Sequence, residues 1–156
     1  MKIKDFLCLD AVTSDLKAKN KEELIDELVA LLVSSGSIEK KFKSKVIEVI
    51  MAREALGSTA IGQGIAIPHG KTDSVSQLVA GLGVSKKGVN FDSLDGEPAY
   101  IFFILIAPQD SAGPHLKALA RVSRLLKDKY FRESLKSAKD HKDIIELVTQ
   151  EDARNA

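Results

Sequence analysis

Residues Gly62–Ser74 read GQGIAIPHGKTDS. A short run of small and branched apolar residues meets Pro68, then His69, then Gly70. The run is too short for a helix and has no polar alternation, so it reads as a strand buried on both faces. The expectation is that this strand stops at His69. With the preceding residues from Ser58 it predicts two short strands joined around Gly62, Gln63 and Gly64.

Outward from this stretch the period changes. Upstream, NKEELIDELVALLVSSG places Leu24, Leu28, Leu31 and Leu32 on one helical face, with Asn20 as cap, Glu23 three residues on and Gly36 as stop. SIEKKFKSKVIEVIMAREALG predicts a second helix. Ser37 is its expected cap, Phe42, Val46, Val49 and Ile50 its inner stripe, and Gly57 its end. Arg53 and Glu54 then occupy its last turn. Before both helices, Val12, Ser14 and Leu16 alternate as in a short strand.

Downstream, LVAGLGVSKKG reads as a strand whose glycines permit close packing. AYIFFILIAP reads as a strand buried on both faces and ended by Pro108. SAGPHLKALARVSRLLKD then predicts a helix capped by Ser111, with Leu116, Leu119, Val122 (or Ala120) and Leu126 at helical spacing. YFRESLKSA and DHKDIIELVTQ predict two shorter helical pieces. Helices, then strands, then helices point to an α/β fold with three layers and a mixed sheet.

The totals set limits. A length of 156 residues predicts a single domain, residues 1–156. The net charge of +1 gives no electrostatic case for nucleic acid or anionic lipid. The one cysteine, Cys8, has no partner for an internal disulfide or a metal knuckle. The N-terminus lacks the apolar stretch of a signal peptide, and no run is long enough to suggest a membrane span. The expected location is the cytoplasm.

Three histidines are available: His69, His115 and His141. His69 follows one expected strand, and His115 begins the helix that follows another. Arg53 also lies at an element end. Ligand sites in α/β sheets favour the carboxyl ends of strands, so these three residues could form one site. A neutral imidazole is a competent nucleophile near pH 7. A phosphoryl group added to it brings about two negative charges, which the Arg53 fork, His115 and the amides near Ser111–His115 could receive. Pro68 would fix the approach to His69, and Gly70 would let backbone come close to the phosphate.

Each residue also has a plainer reading. Arg53 suits a helix C-terminus, His115 suits a first turn, and His141 reads as a solvated residue of KDHKD. Zinc is the rival use of His69 and His115, with Asp73 and Asp110 as conceivable further ligands, but no metal-ligand spacing is present. The chain has no GxxxxGK[ST] loop for a nucleotide, so no cofactor is expected.

The segments REALGSTAIGQGIAIPHGKTDSV and VNFDSLDGEPAYIFFILIAPQDSAGPHLKALARVSRLLKD resemble the IIA domain of the mannitol/fructose class of bacterial sugar phosphotransferase systems. The likeness runs from about Asn20 to about Leu147. Gln63 departs from the family's usual Asn. The resemblance implies a mixed β-sheet of about five strands flanked by helices on both sides. It makes His69 the phosphorylated histidine, and His115 and Arg53 its active-site neighbours. It implies HPr as phosphoryl donor and a cysteine of a IIB component as acceptor. The chain ends soon after its last helical segment, so a free-standing IIA component is expected. Two roles stay open: sugar transport, to which QDSAGPHLKALARVSRLLKD reads closer in its fructose branch, and the nitrogen-regulatory IIA type. A carrier would ring its site with apolar docking surface, expected from Ile65, Ile67 and the apolar residues of Leu116–Leu126.

Overall fold

A computed structural model describes residues 1–155. The chain runs β1 (Leu7–Thr13), α1 (Lys21–Ser34), α2 (Lys43–Ala55), β2 (Ile65–Ala66), β3 (His69–Thr72), β4 (Val79–Val89), β5 (Ala99–Pro108), α3 (Ala112–Leu125), α4 (Lys129–Lys136) and α5 (His141–Arg154). The five strands form one mixed sheet in the order β1-β4-β5-β2, with β3 also paired to β5. β4 is antiparallel to β5, while β1 is parallel to β4, and β2 and β3 are parallel to β5.

β5 organises the layers. Its side chains alternate. Ile101, Phe103 and Leu105 join a core with Ala118 and Val122 of α3, Phe131 of α4 and Ile144 of α5. Phe102, Ile104 and Ile106 join a second core with Leu24 and Leu28 of α1 and Val46 and Ile50 of α2. All six β5 side chains are fully buried, each worth about 1.5–3 kcal/mol of transfer free energy. The three-layer α/β expectation is therefore met, with two helices on one face and three on the other.

β4 turns Gly81 and Gly83 toward the α1 side. A Cβ on Gly83 would lie 2.6 Å from Leu16 Cδ1, and one on Gly81 would lie 3.2 Å from the Ala11 carbonyl. Leu16 and α1 therefore settle directly on strand backbone. Gly83→Val should lower stability by about 2 kcal/mol or more through overpacking. Thermal unfolding measures this, and an unchanged midpoint would contradict the packing.

Several element boundaries differ from expectation. β1 starts at Leu7, and Leu16 lies beyond its end, filling the space above Gly83. Asn20 caps α1 as expected, accepting from the Glu23 amide at 2.9 Å. Ser37 does not cap α2: its hydroxyl meets Ser35 and the Cys8 sulfur, and a 3-10 turn (Lys40–Phe42) leads into the helix. Only one short strand forms around the Gly62–Gly64 turn, because Gln63 and Gly64 both take positive φ there.

The larger correction concerns His69. The extended chain does not stop at it. Ile65 pairs with Ile101 and His69 with Leu105, so β2 and β3 follow β5 in one register, interrupted only at Ile67 and Pro68. Pro68 has no N–H, which an edge position tolerates, and its carbonyl still accepts from Leu105 at 2.9 Å.

Candidate functional site

β2 and β3 form the edge of the sheet beside β5. Alternation sends Ile65 and Ile67 into the core on the α3 side, and the same parity puts His69 and Lys71 on that side. Gly70 faces α2. A Cβ on Gly70 would lie 2.7 Å from Val49 Cγ1, so glycine here lets α2 press against the strand. Gly70 therefore has a packing reason, and it also lines the cleft beside His69.

A cleft of about 500 Å³ opens at this edge between α2, β3 and the start of α3. His69, His115 and Arg53 all line it, so the structure brings the three expected residues together. They meet at the open sheet edge, flanked by two helices and close to the carboxyl ends of β3 and β5, where Gln109 and Ala112 also line the cleft. His141 lies apart, exposed in the first turn of α5. Asp73 and Asp110 do not join the histidines: among the described residues no three His, Cys, Asp or Glu side chains converge as a metal site would require.

The two imidazoles meet edge to face, with ring centroids 5.4 Å apart and planes at 71°. His69 Nδ1 lies 2.7 Å from the Ile67 carbonyl oxygen. A carbonyl only accepts, so Nδ1 carries the proton and Nε2 keeps its lone pair. Partial burial is the main cause that lowers the His69 pKa; the Ile67 carbonyl opposes it, Arg53 adds to it and Glu54 opposes it. The ring is therefore neutral at pH 7.

His115 is buried in the first turn of α3, and its Nε2 has no hydrogen-bond partner among the described residues. Burial first, then the neighbouring His69 and Lys71, push its pKa down to about 4. It is a neutral donor at pH 7 and not a cation. The amide of His115 is taken by the Ser111 carbonyl at 3.0 Å and Pro114 has none, which leaves Ala112 and Gly113 as the amides this helix start offers. Ser111 makes no side-chain cap.

Arg53 folds back over the end of α2 and donates Nη1 to the Gly57 carbonyl at 2.7 Å. Its plainer reading as a helix-end cation is thus also satisfied, and its other N–H groups remain for the cleft. If the fork acts on a phosphoryl group, Arg53→Lys should slow phosphoryl transfer by about tenfold or more, since one ammonium offers no second parallel donor. Stopped-flow transfer rates measure this, and a native rate would remove Arg53 from the site.

Two features were not foreseen. Lys71 lines the cleft on the His69 side; strand alternation would have found it had the strand been carried past His69. The apolar rim also differs. Ile65 and Ile67 are 2% and 5% exposed and belong to the core, whereas Leu56 and Leu116 are 86% and 67% exposed and line the cleft. The inner stripe of α3 is His115, Ala118, Val122 and Leu125, which turns Leu116 outward. No helix among the described residues is long and apolar enough to cross a membrane.

The family described as "Phosphoenolpyruvate-dependent sugar phosphotransferase system, EIIA 2" matches residues 5–151. The chain is 40% identical over 152 residues to the fructose-specific EIIABC component of Bacillus subtilis, covering 97% of this chain but only 24% of that protein. It is 34% identical to a nitrogen regulatory protein of Bradyrhizobium diazoefficiens, covering 95% of both chains. The crystal structure of nitrogen regulatory protein IIA-Ntr from Neisseria meningitidis superposes with a TM-score of 0.84 at 33% identity, covering 94% of this chain and 98% of that one.

Proposed function

Because this chain belongs to the EIIA 2 family of the phosphoenolpyruvate-dependent sugar phosphotransferase system, we propose that it is a cytoplasmic phosphocarrier. In this reading His69 accepts a phosphoryl group from phospho-HPr and yields it to a cysteine of a IIB component during sugar uptake of the fructose type. The observation that carries the reading is the Nδ1 contact of His69 with the Ile67 carbonyl. It leaves Nε2 as a neutral nucleophile at the cleft.

The step needs no proton transfer. The Nε2 lone pair forms the new P–N bond as the donor's P–N bond breaks, and the electron pair stays with the donor ring. Nδ1 keeps its proton, so the phosphorylated His69 ring is a cation bearing an anionic phosphoryl group. In the second step an acceptor thiolate forms a P–S bond, and the Nε2–P electron pair returns to His69. Catalysis is then positioning and charge stabilisation. Buried His115 Nε2, when protonated in its neutral tautomer, donates to a phosphoryl oxygen and thereby gains the partner it lacks. Arg53 and Lys71 supply positive charge. Leu56 and Leu116 give each docking protein an apolar rim.

A second reading has its own support. The nitrogen regulatory relative and the IIA-Ntr structure match this chain along nearly their whole lengths. There the same phosphohistidine would change the charge of the rim and select regulatory partners. The deciding experiment presents the phosphorylated protein to a purified fructose-type IIB. Rapid loss of phosphate to the IIB cysteine supports the transport reading. Retention of phosphate, with that IIB accepting it from a control IIA, supports the regulatory one.

A further inference from the structure

Of the two carboxylates on α2, Glu48 is exposed and Glu54 is buried. Burying an ion is costly unless it is paired and fully hydrogen-bonded, and an apolar residue often serves a core at least as well. Glu54 is paired: Lys21 Nζ lies 3.0 Å from Oε1. Oε1 also accepts from the Thr59 amide at 3.3 Å, and the other oxygen holds the same residue. Oε2 accepts from the Thr59 amide at 3.1 Å and from the Thr59 hydroxyl. The Thr59 carbonyl in turn accepts from the Ile67 amide at 3.2 Å, and the Ile67 carbonyl accepts from His69 Nδ1 at 2.7 Å.

These contacts form one chain from the end of α2 to the candidate nucleophile. Thr59 and Ile67 are both buried, so water does not substitute for the links. Pro68 restricts the backbone of Ile67 to extended conformations. Holding the Ile67 amide therefore also sets the direction of its carbonyl. We propose that Glu54 is a positioning residue, which acts through Thr59 and Ile67 to hold His69 with its proton on Nδ1 and with Nε2 directed into the cleft.

The consequence for rate rests on the phosphocarrier reading; the tautomer does not, and it is measurable with no phosphoryl donor present. Long-range proton–nitrogen spectra of the ¹⁵N-labelled protein at pH 8 report which His69 nitrogen bears the proton. The full chain should show Nδ1–H as the dominant form. Glu54→Gln should raise the Nε2–H fraction at least about fivefold and slow phosphoryl uptake about tenfold. Thr59→Val keeps the amide and carbonyl but removes the hydroxyl, and should raise that fraction about threefold. Thr59→Ser should restore the native tautomer. A purely structural ion pair would leave the His69 tautomer unmoved in variants that fold. An unchanged tautomer in folded Glu54→Gln overturns the proposal, and if that variant does not fold, an unchanged tautomer in Thr59→Val does so. A tautomer that responds as expected in a protein that takes up no phosphate would support the positioning and contradict the phosphocarrier reading.

Discussion

His69→Ala should take up no phosphate from phospho-HPr, while the fold persists. The loss is complete because no other group can replace the nucleophile. His115 is buried in the first turn of α3, where its pKa is pushed down to about 4, and His141 lies apart on α5. The cost to stability should be small, since His69 is only partly buried at a sheet edge and its side chain makes one hydrogen bond. Intact mass after incubation with phosphoenolpyruvate, enzyme I and HPr measures uptake. Native protein should gain one acid-labile, base-stable phosphate, and His69→Ala none. Phosphate on the variant would place the chemistry elsewhere. The rate of uptake should also survive mild acidification. Burial lowers the His69 pKa below its ordinary value, so a larger share of the ring stays neutral and nucleophilic on acidification than in a free imidazole.

His115→Ala should still accept phosphate on His69 but pass it on about 10²–10³-fold more slowly. That is the usual cost of removing one preorganised donor from a site where charge develops. The same residue gives two pH signatures. In the free protein its pKa is depressed to about 4 from 6.5. The folded state then binds fewer protons than the unfolded state between those values, so stability is full above about pH 6.5 and is lost as pH falls toward 4. His69 adds in the same direction. Thermal unfolding between pH 7 and 4.5 should therefore slope less steeply in His115→Ala than in the native protein. Once His69 is phosphorylated, the roughly two negative charges of the phosphoryl group outweigh the one positive charge of its ring, and the His115 pKa should rise. Titration of the His115 ring signals by NMR tests this. An unshifted pKa in the phosphoprotein would mean that His115 does not face the phosphoryl group.

What was legible in the chain follows from how local each signal is. The β5 run AYIFFILIAP and the α1 pattern with its Asn20 cap needed only neighbouring residues to be read, and both stand. Of the three clustered residues, His115 and Arg53 were legible from their places at the start of α3 and the end of α2. The path through His69 was misread since Pro68 looks like a strand terminus. Only the pairing of His69 with Leu105 shows that the edge continues. Lys71 was missed with it. The outward turn of Leu116 was hidden because His115, a polar residue, takes the buried position that a leucine was expected to fill. Glu54 was invisible for a deeper reason. Its meaning lies in contacts to Lys21 and Thr59 and, beyond Thr59, to Ile67, none of which a local pattern announces.

The most direct measurement is the site of phosphorylation at atomic resolution. The ¹⁵N-labelled protein is charged with phosphoenolpyruvate, enzyme I and HPr, mapped by peptide mass, and examined for nitrogen–phosphorus coupling. The account predicts one phosphate, on His69, coupled to Nε2, with Nδ1 still protonated against the Ile67 carbonyl. Phosphate on Nδ1 or on another residue, or none at all with HPr active on a control protein, would contradict it.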